Sequence, residues 1–154
     1  MSASRLCIGV FDSGVGGLTV LRALREALPD ADFVYLGDTA RLPYGTKSPE
    51  TVARYALQAA SVIVARGIDA LVVACNTASA MALEVLDARW PELPVVGVVE
   101  PGARAAARAT ASGEVAVIAT ESTVRGGAYE RALARLRPEL RVRVRACSVL
   151  VALA

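Results

Sequence analysis

The chain has 154 residues, 55% of them hydrophobic and 21% charged, with a formal net charge of +2. The length is about one domain's worth, the apolar content excludes a disordered tail, and the small charge gives no electrostatic footprint for nucleic acid or an anionic membrane. Aromatic residues reach only 5%, which leaves little on which bases could stack.

Short apolar runs alternate with longer segments of helical character. LCIGVFD at 6–12 predicts a first strand. GLTVLRALREAL follows, with Leu18, Val20, Leu21, Leu24 and Leu28 on one face and Pro29 as its stop. FVYLGD at 33–38 predicts a second strand, and the Pro- and Gly-bearing loop TARLPYGTKS leads on from it. Ser48 then reads as an N-cap with Pro49 at the first helical position, and Gly67 as the residue that ends the helix. ALVVAC at 70–75 predicts a third strand, TASAMALEVLDARW a single helix ended by Pro91, and LPVVGVV a fourth strand. PGARAAARATA predicts an Ala-rich helix, EVAVIAT a fifth strand, ESTVRGGAYERALARLR a helix weakened by Gly126-Gly127, and RVRVRAC a sixth strand.

This alternation predicts βαβ units and an α/β fold with a parallel, doubly wound sheet. The first four strands are apolar on both faces, as a sheet covered on both sides requires. The sixth alternates Arg with Val and leaves one basic face exposed or uncovered. The apolar ending VLVALA carries no cap.

No run of 18 apolar residues occurs, so no membrane span is expected. MSASRLCIGVFD lacks the basic and apolar regions of a leader, so the expected location is the cytoplasm. Cys7, Cys75 and Cys147 are far apart and there is no histidine. That set argues against a disulfide framework and a zinc site, and it excludes a Cys-His or Ser-His-Asp nucleophile within this chain.

In open α/β sheets ligands collect at the carboxyl ends of the strands. Three such ends carry unusual residues: Asp12-Ser13-Gly14, then Gly37-Asp38-Thr39 running on to Pro43-Tyr44-Gly45, then Cys75-Asn76-Thr77. In DSGVGG, Gly14, Gly16 and Gly17 could aim N–H groups at an anion, or simply make a tight turn. A dinucleotide fingerprint does not fit, because position 19 is Thr and Asp12 would repel a pyrophosphate. Asp12 could bind an ammonium group, orient a neighbouring acid or base, or cap the helix. Tyr44 and Gly45 could offer a hydroxyl and a backbone N–H, or form an ordinary turn.

A free thiol has a pKa near 8.5. The start of a helix after Cys75 would lower it toward the thiolate, with Asn76 and Thr77 capping and donating outward. The alternative is a small buried hydrophobe. Cys7 lies on the wrong rim, and Cys147 is read as having no helix start after it. A thiolate without histidine can attack a carbonyl or take a proton from carbon. Lys47, the only lysine, sits in a polar loop, so cofactor-free chemistry is favoured over a Schiff base.

IGVFDSGVGGLTV, YLGDTARLPYG, VVACNTASA and VVGVVEPGARAA, in this order and spacing, resemble glutamate racemase of the aspartate/glutamate racemase superfamily, from Ile8 to the last residues. The resemblance implies interconversion of L- and D-glutamate without a cofactor or metal, supplying D-glutamate for peptidoglycan. Two cysteines on opposite sides of the substrate act as acid and base. Cys75 matches the one that removes the α-proton of D-glutamate, and Asp12 the acid that assists it. Ser13, Tyr44, Gly45, Asn76 and Thr77 match substrate-holding positions. Thr120 and Thr123 resemble a further substrate-facing stretch, although Ala119 replaces its usual glycine.

The resemblance also implies parts that this sequence lacks. The second cysteine lies in a Gly-Cys-Thr-His motif beyond position 154, a further assisting Glu falls just past Ala154, and Ser148 and Ala152 replace prolines. Residues 1–98 are thus expected to form the first α/β domain, with Asp12 and Cys75, and 99–154 part of a second. Loss of one proton-transfer partner costs about a factor of 10²–10⁴, so the chain alone is expected to be a poor racemase. Its exposed rim is expected to favour aggregation or a homodimer. Aspartate racemase, and a non-catalytic relative that binds an acidic amino acid or a protein, are the other readings.

Overall fold

The structure, a computed structural model, describes residues 5–153. Residues 1–4, on which the reading of the leader partly rests, and residue 154 of the apolar ending lie outside the described residues.

Among the described residues six strands form two parallel sheets. The first sheet contains β1 (Cys7–Asp12), β2 (Asp32–Gly37), β3 (Ala70–Val73) and β4 (Val95–Gly97), in the order β2-β1-β3-β4. The second pairs β5 (Glu114–Ala119) with β6 (Arg141–Ala146). In the first sheet Phe11 pairs with Leu36 on one side and Val73 on the other, so the carboxyl ends of β1, β2 and β3 share a rim.

Alternation along β1 splits its side chains between two layers. Ile8 and Val10 point to α1 (Leu18–Ala27), packing with Val20, Leu21 and Leu24. Phe11 points the other way, into a core shared with α2 (Pro49–Val64) through Val52, Ala56, Ala59, Ala60 and Ile63. Gly9 lets α2 come close: a Cβ there would stand 2.4 Å from Ile63 Cγ2. Helices therefore cover both faces of the sheet. The cover is incomplete over β4, where Val96 is 50% exposed.

The α2 boundaries follow local chemistry. Ser48 Oγ accepts from Thr51 N–H, Pro49 occupies the first turn, and Gly67 takes a φ of +75° beyond the end. The segment after β3 differs from the single helix expected. It is α3 (Asn76–Met81) and α4 (Leu83–Arg89), broken at Ala82, whose φ of −123° departs from helical values. Ala82 is fully buried, and its neighbour Leu83 packs with the main core. Burial, which periodicity does not weigh, accompanies the break.

Beyond β4, α5 (Val99–Ala109) and α7 (Ala128–Leu136) cover one face of the second sheet. Val99, Ala103, Ala107, Ala132 and Leu133 pack there with Val115, Val117 and Val142. Gly127, at φ +60°, separates α6 (Glu121–Arg125) from α7, as the paired glycines foreshadow. The other face of this sheet carries exposed Arg143 and Arg145 beside Ile118, which is 62% exposed. The last described segment is α8 (Ser148–Leu153). A helix thus does start directly after Cys147, contrary to expectation. Among the described residues no helix is long and apolar enough to cross a membrane.

Candidate active site

Three rim turns of the first sheet and the start of α6 converge on one place. Cys75 lies two residues past β3 and caps α3: its Sγ accepts from Ala78 N–H at 3.4 Å and its thiol donates to Ser13 Oγ at 3.1 Å. The thiol is 6% exposed and packs in the same core as Phe11 and Tyr44.

Its ionisation runs against the expectation from sequence. The Cys75 pKa is raised, first because burial disfavours the thiolate and also because the Asp12 charge repels it. The hydrogen bonds from Ser13 and from Ala78 N–H pull the other way without winning. A helix start acts locally and is legible in sequence; the enclosure by the surrounding core is not. Cys75 in this state is a protonated thiol that donates to Ser13 Oγ, with Ala78 N–H already in place to stabilise a thiolate.

Asp12 is also buried, and Oδ2 accepts from Gly14 N–H at 3.1 Å and Gly17 N–H at 3.0 Å. The glycine-rich turn therefore does aim N–H groups at an anion, but that anion is the carboxylate of Asp12. Gly17 permits this approach, because a Cβ there would stand 2.6 Å from Asp12 Cβ. Asp12 thus both caps the turn and sets the charge beside the thiol. Tyr35 closes the same corner: its hydroxyl donates to Gly14 O at 3.3 Å. Burial, followed by the charge and hydrogen bonding of Asp12, pushes its pKa up to about 12.

The loop after β2 is pinned by an ionic chain. Arg41 Nε meets Asp38 Oδ2 at 2.7 Å, and its guanidinium lies over the Tyr55 ring and bonds Gln58 Oε1. The same Asp38 oxygen accepts from the Tyr44 hydroxyl at 2.5 Å. Tyr44 is 1% exposed and its pKa is raised, first by burial and then by the bond to Asp38. Its hydroxyl is therefore committed to Asp38 and is not the free ligand donor that the sequence suggested. The Tyr44–Thr46 segment is a 3-10 turn, in which the N–H groups of Tyr44 and Gly45 precede the first closing bond. Backbone donors remain where the hydroxyl does not.

Gly45 is sealed from above by α6. A Cβ on it would stand 2.5 Å from Thr120 Cβ, and Ser122 Oγ donates to Lys47 O at 3.0 Å. Thr77, Thr120 and Thr123 form a closed ring of hydroxyls, with contacts of 3.0, 3.1 and 2.9 Å. Each hydroxyl owns one proton, so the ring holds three donors that can be redirected onto an incoming acceptor. Asn76 stands exposed beside Thr77, and its Oδ1 accepts from the Tyr129 hydroxyl at 2.6 Å.

All nine residues singled out from sequence, Asp12, Ser13, Tyr44, Gly45, Cys75, Asn76, Thr77, Thr120 and Thr123, belong to these connected turns. Cys7 does not: it begins β1 and its N–H bonds Asp69 at the opposite rim. Cys147 follows β6, where its N–H bonds Ala119 O. Among the described residues no cluster of three or more His, Cys, Asp or Glu could hold a metal ion.

The Asp/Glu/Hydantoin racemase family model matches residues 8–154. This chain belongs to that family. A glutamate racemase from Geobacter metallireducens is 61% identical over 147 residues, which are 96% of this chain and 54% of that protein. One from Aquifex aeolicus is 52% identical over 146 residues, 95% of this chain and 56% of that protein. The crystal structure of a glutamate racemase isoform from Bacillus anthracis superposes with a TM-score of 0.93 at 41% identity, over 98% of this chain and 56% of that one. A glutamate racemase from Francisella tularensis, solved in complex with D-glutamate, gives 0.89 at 36% identity, over 97% and 56%. The chain spans about half the length of the curated relatives it matches.

Within this racemase-family chain, sequence reasoning passed over Tyr35, Arg41 and Tyr129. Arg41 sits three residues from Asp38, a spacing that could have flagged it. Tyr35 and Tyr129 reach their partners across 21 and 53 residues, and no local pattern announces such contacts.

Proposed function

We propose that this chain supplies one catalytic face of a cofactor-independent glutamate racemase, in which Cys75 takes the α-proton of D-glutamate. The observation that carries this is the Cys75 thiol, 3.1 Å from Ser13 Oγ and capped by Ala78 N–H, beside the carboxylate of Asp12. To act as the base Cys75 first releases its own proton to solvent; the thiolate that then takes the α-proton is stabilised by Ala78 N–H and by the Ser13 hydroxyl turned to donate, while burial suppresses idle ionisation. Asp12 assists by tuning the thiol. Ser13, Asn76, Thr77, Thr120 and Thr123 supply hydrogen bonds to the carboxylates and amino group, and Tyr44 and Gly45 supply backbone N–H groups.

In this reading residues 1–98 form the first α/β domain and 99–154 part of a second. Racemisation also needs an acid on the far side of the substrate. Neither Cys7 nor Cys147 is poised for it, so the chain by itself is a poor racemase with one competent face. D-Glutamate made by such a reaction serves peptidoglycan in the cytoplasm, and the uncovered sheet faces favour a homodimer.

The test is α-proton exchange in D₂O with D-glutamate, L-glutamate and D-aspartate side by side. D-Glutamate should acquire deuterium slowly and remain D, with the other two slower, and Cys75→Ala should stop exchange. Equal exchange by wild type and Cys75→Ala would overturn the assignment of Cys75. Faster exchange of D-aspartate would shift the substrate to aspartate.

A further inference from the structure

The role of Tyr129 is not explained by packing alone. It sits on α7, yet its hydroxyl crosses to α3 and donates to Asn76 Oδ1 at 2.6 Å, the one described bond that Asn76 makes through its side chain. The phenol stays protonated over a wide range, since burial raises its pKa. Its ring lies against Gly102 in α5, where a Cβ would stand 3.2 Å from the hydroxyl oxygen, tighter than ordinary contact. A glycine inside a helix is less favourable than alanine, and here it clears the path for the phenol.

An exposed asparagine amide has no reason to hold one orientation. Its oxygen accepts while its NH₂ donates twice. With the oxygen claimed by Tyr129, the NH₂ group makes no described hydrogen bond and is the part of the amide left to donate, and Asn76 lies between Cys75 and Thr77. We propose that Tyr129 is a positioning residue that fixes the Asn76 amide with its N–H donors toward a carboxylate of the bound amino acid. This rests on the reading of the site as one for D-glutamate. Tyr129 does not touch the reacting atoms; it acts through Asn76.

The experiment compares the full chain with Tyr129→Phe, which keeps the ring and deletes the donor. Nitrogen-15 relaxation of the Asn76 side-chain amide is recorded without ligand, and D-glutamate exchange in D₂O is followed against concentration. The variant should show a more mobile Asn76 amide. The half-saturating concentration should rise about 3–10-fold, as loss of one hydrogen bond gives, with the plateau rate unchanged. Unchanged amide mobility overturns the proposal, whether or not thermal stability falls. So does a mobile amide with unchanged half-saturation. Cys75→Ala run alongside separates the two ideas: exchange that survives it refutes the function of Cys75, and the amide relaxation still judges Tyr129.

Discussion

Replacing Ser13 with alanine tests whether the thiol is held ready for ionisation. Ser13 Oγ lies 3.1 Å from Cys75 Sγ, and its hydrogen bond lowers a pKa that burial and Asp12 both raise. A hydrogen bond to a charged group contributes about 1.5–3 kcal/mol. Ser13→Ala should therefore raise the Cys75 pKa, by the amount of thiolate stabilisation that is lost. At neutral pH that lowers the thiolate fraction. Carbon-13 labelling of the cysteine Cβ, in a background with Cys7 and Cys147 changed to serine, reports the titration directly. The shift should begin at higher pH in the variant, and D-glutamate exchange should slow in proportion. An unchanged or lower pKa in a folded variant would refute the view that Ser13 stabilises the thiolate.

The neighbouring carboxylate works in the opposite direction. Asp12→Asn removes the charge that raises the Cys75 pKa, so the same titration should move to lower pH, while stability falls by about 1 kcal/mol as the capping acceptor of Gly14 and Gly17 weakens. Gly37→Ala should destabilise by about 1–3 kcal/mol or more in urea unfolding, because its Cβ would stand 2.2 Å from the backbone oxygen of Gly14, which no rotamer change relieves. Stability should be level through neutral pH and fall as pH rises above about 9. The reason is that Cys75, Tyr35, Tyr44 and Tyr129 all keep their protons longer folded than unfolded. Denaturant midpoints measured from pH 7 to pH 11 check the sign.

Local chemistry made much of this chain readable. Ser48, Pro49 and Gly67 frame α2 as capping rules require, and five of the six described strands lie within the apolar runs that announced them, β2 starting one residue early at Asp32. The rim was readable because parallel strands put their carboxyl ends together, which brings Asp12, Asp38 and Cys75 to one edge. What escaped was set by the tertiary fold. Ala82 breaks a helix that periodicity runs straight through. Burial reverses the pKa direction that the α3 start alone would give to Cys75. Asp38 takes up the Tyr44 hydroxyl because Arg41, Tyr55 and Gln58 hold it there, and that arrangement exists only once α2 has packed against the loop.

The central claim is that the Cys75 sulfur faces the α-carbon of a small dicarboxylate, and a crystal structure of the chain at saturating D-glutamate measures it. The account predicts Cys75 Sγ about 3–3.5 Å from the α-carbon, the reach of a near-attack geometry, with one carboxylate at the Thr77–Thr120–Thr123 hydroxyls or the Asn76 amide and the other at the Tyr44 and Gly45 N–H groups. Glutamate bound away from Cys75, or an empty rim at saturation, would contradict it.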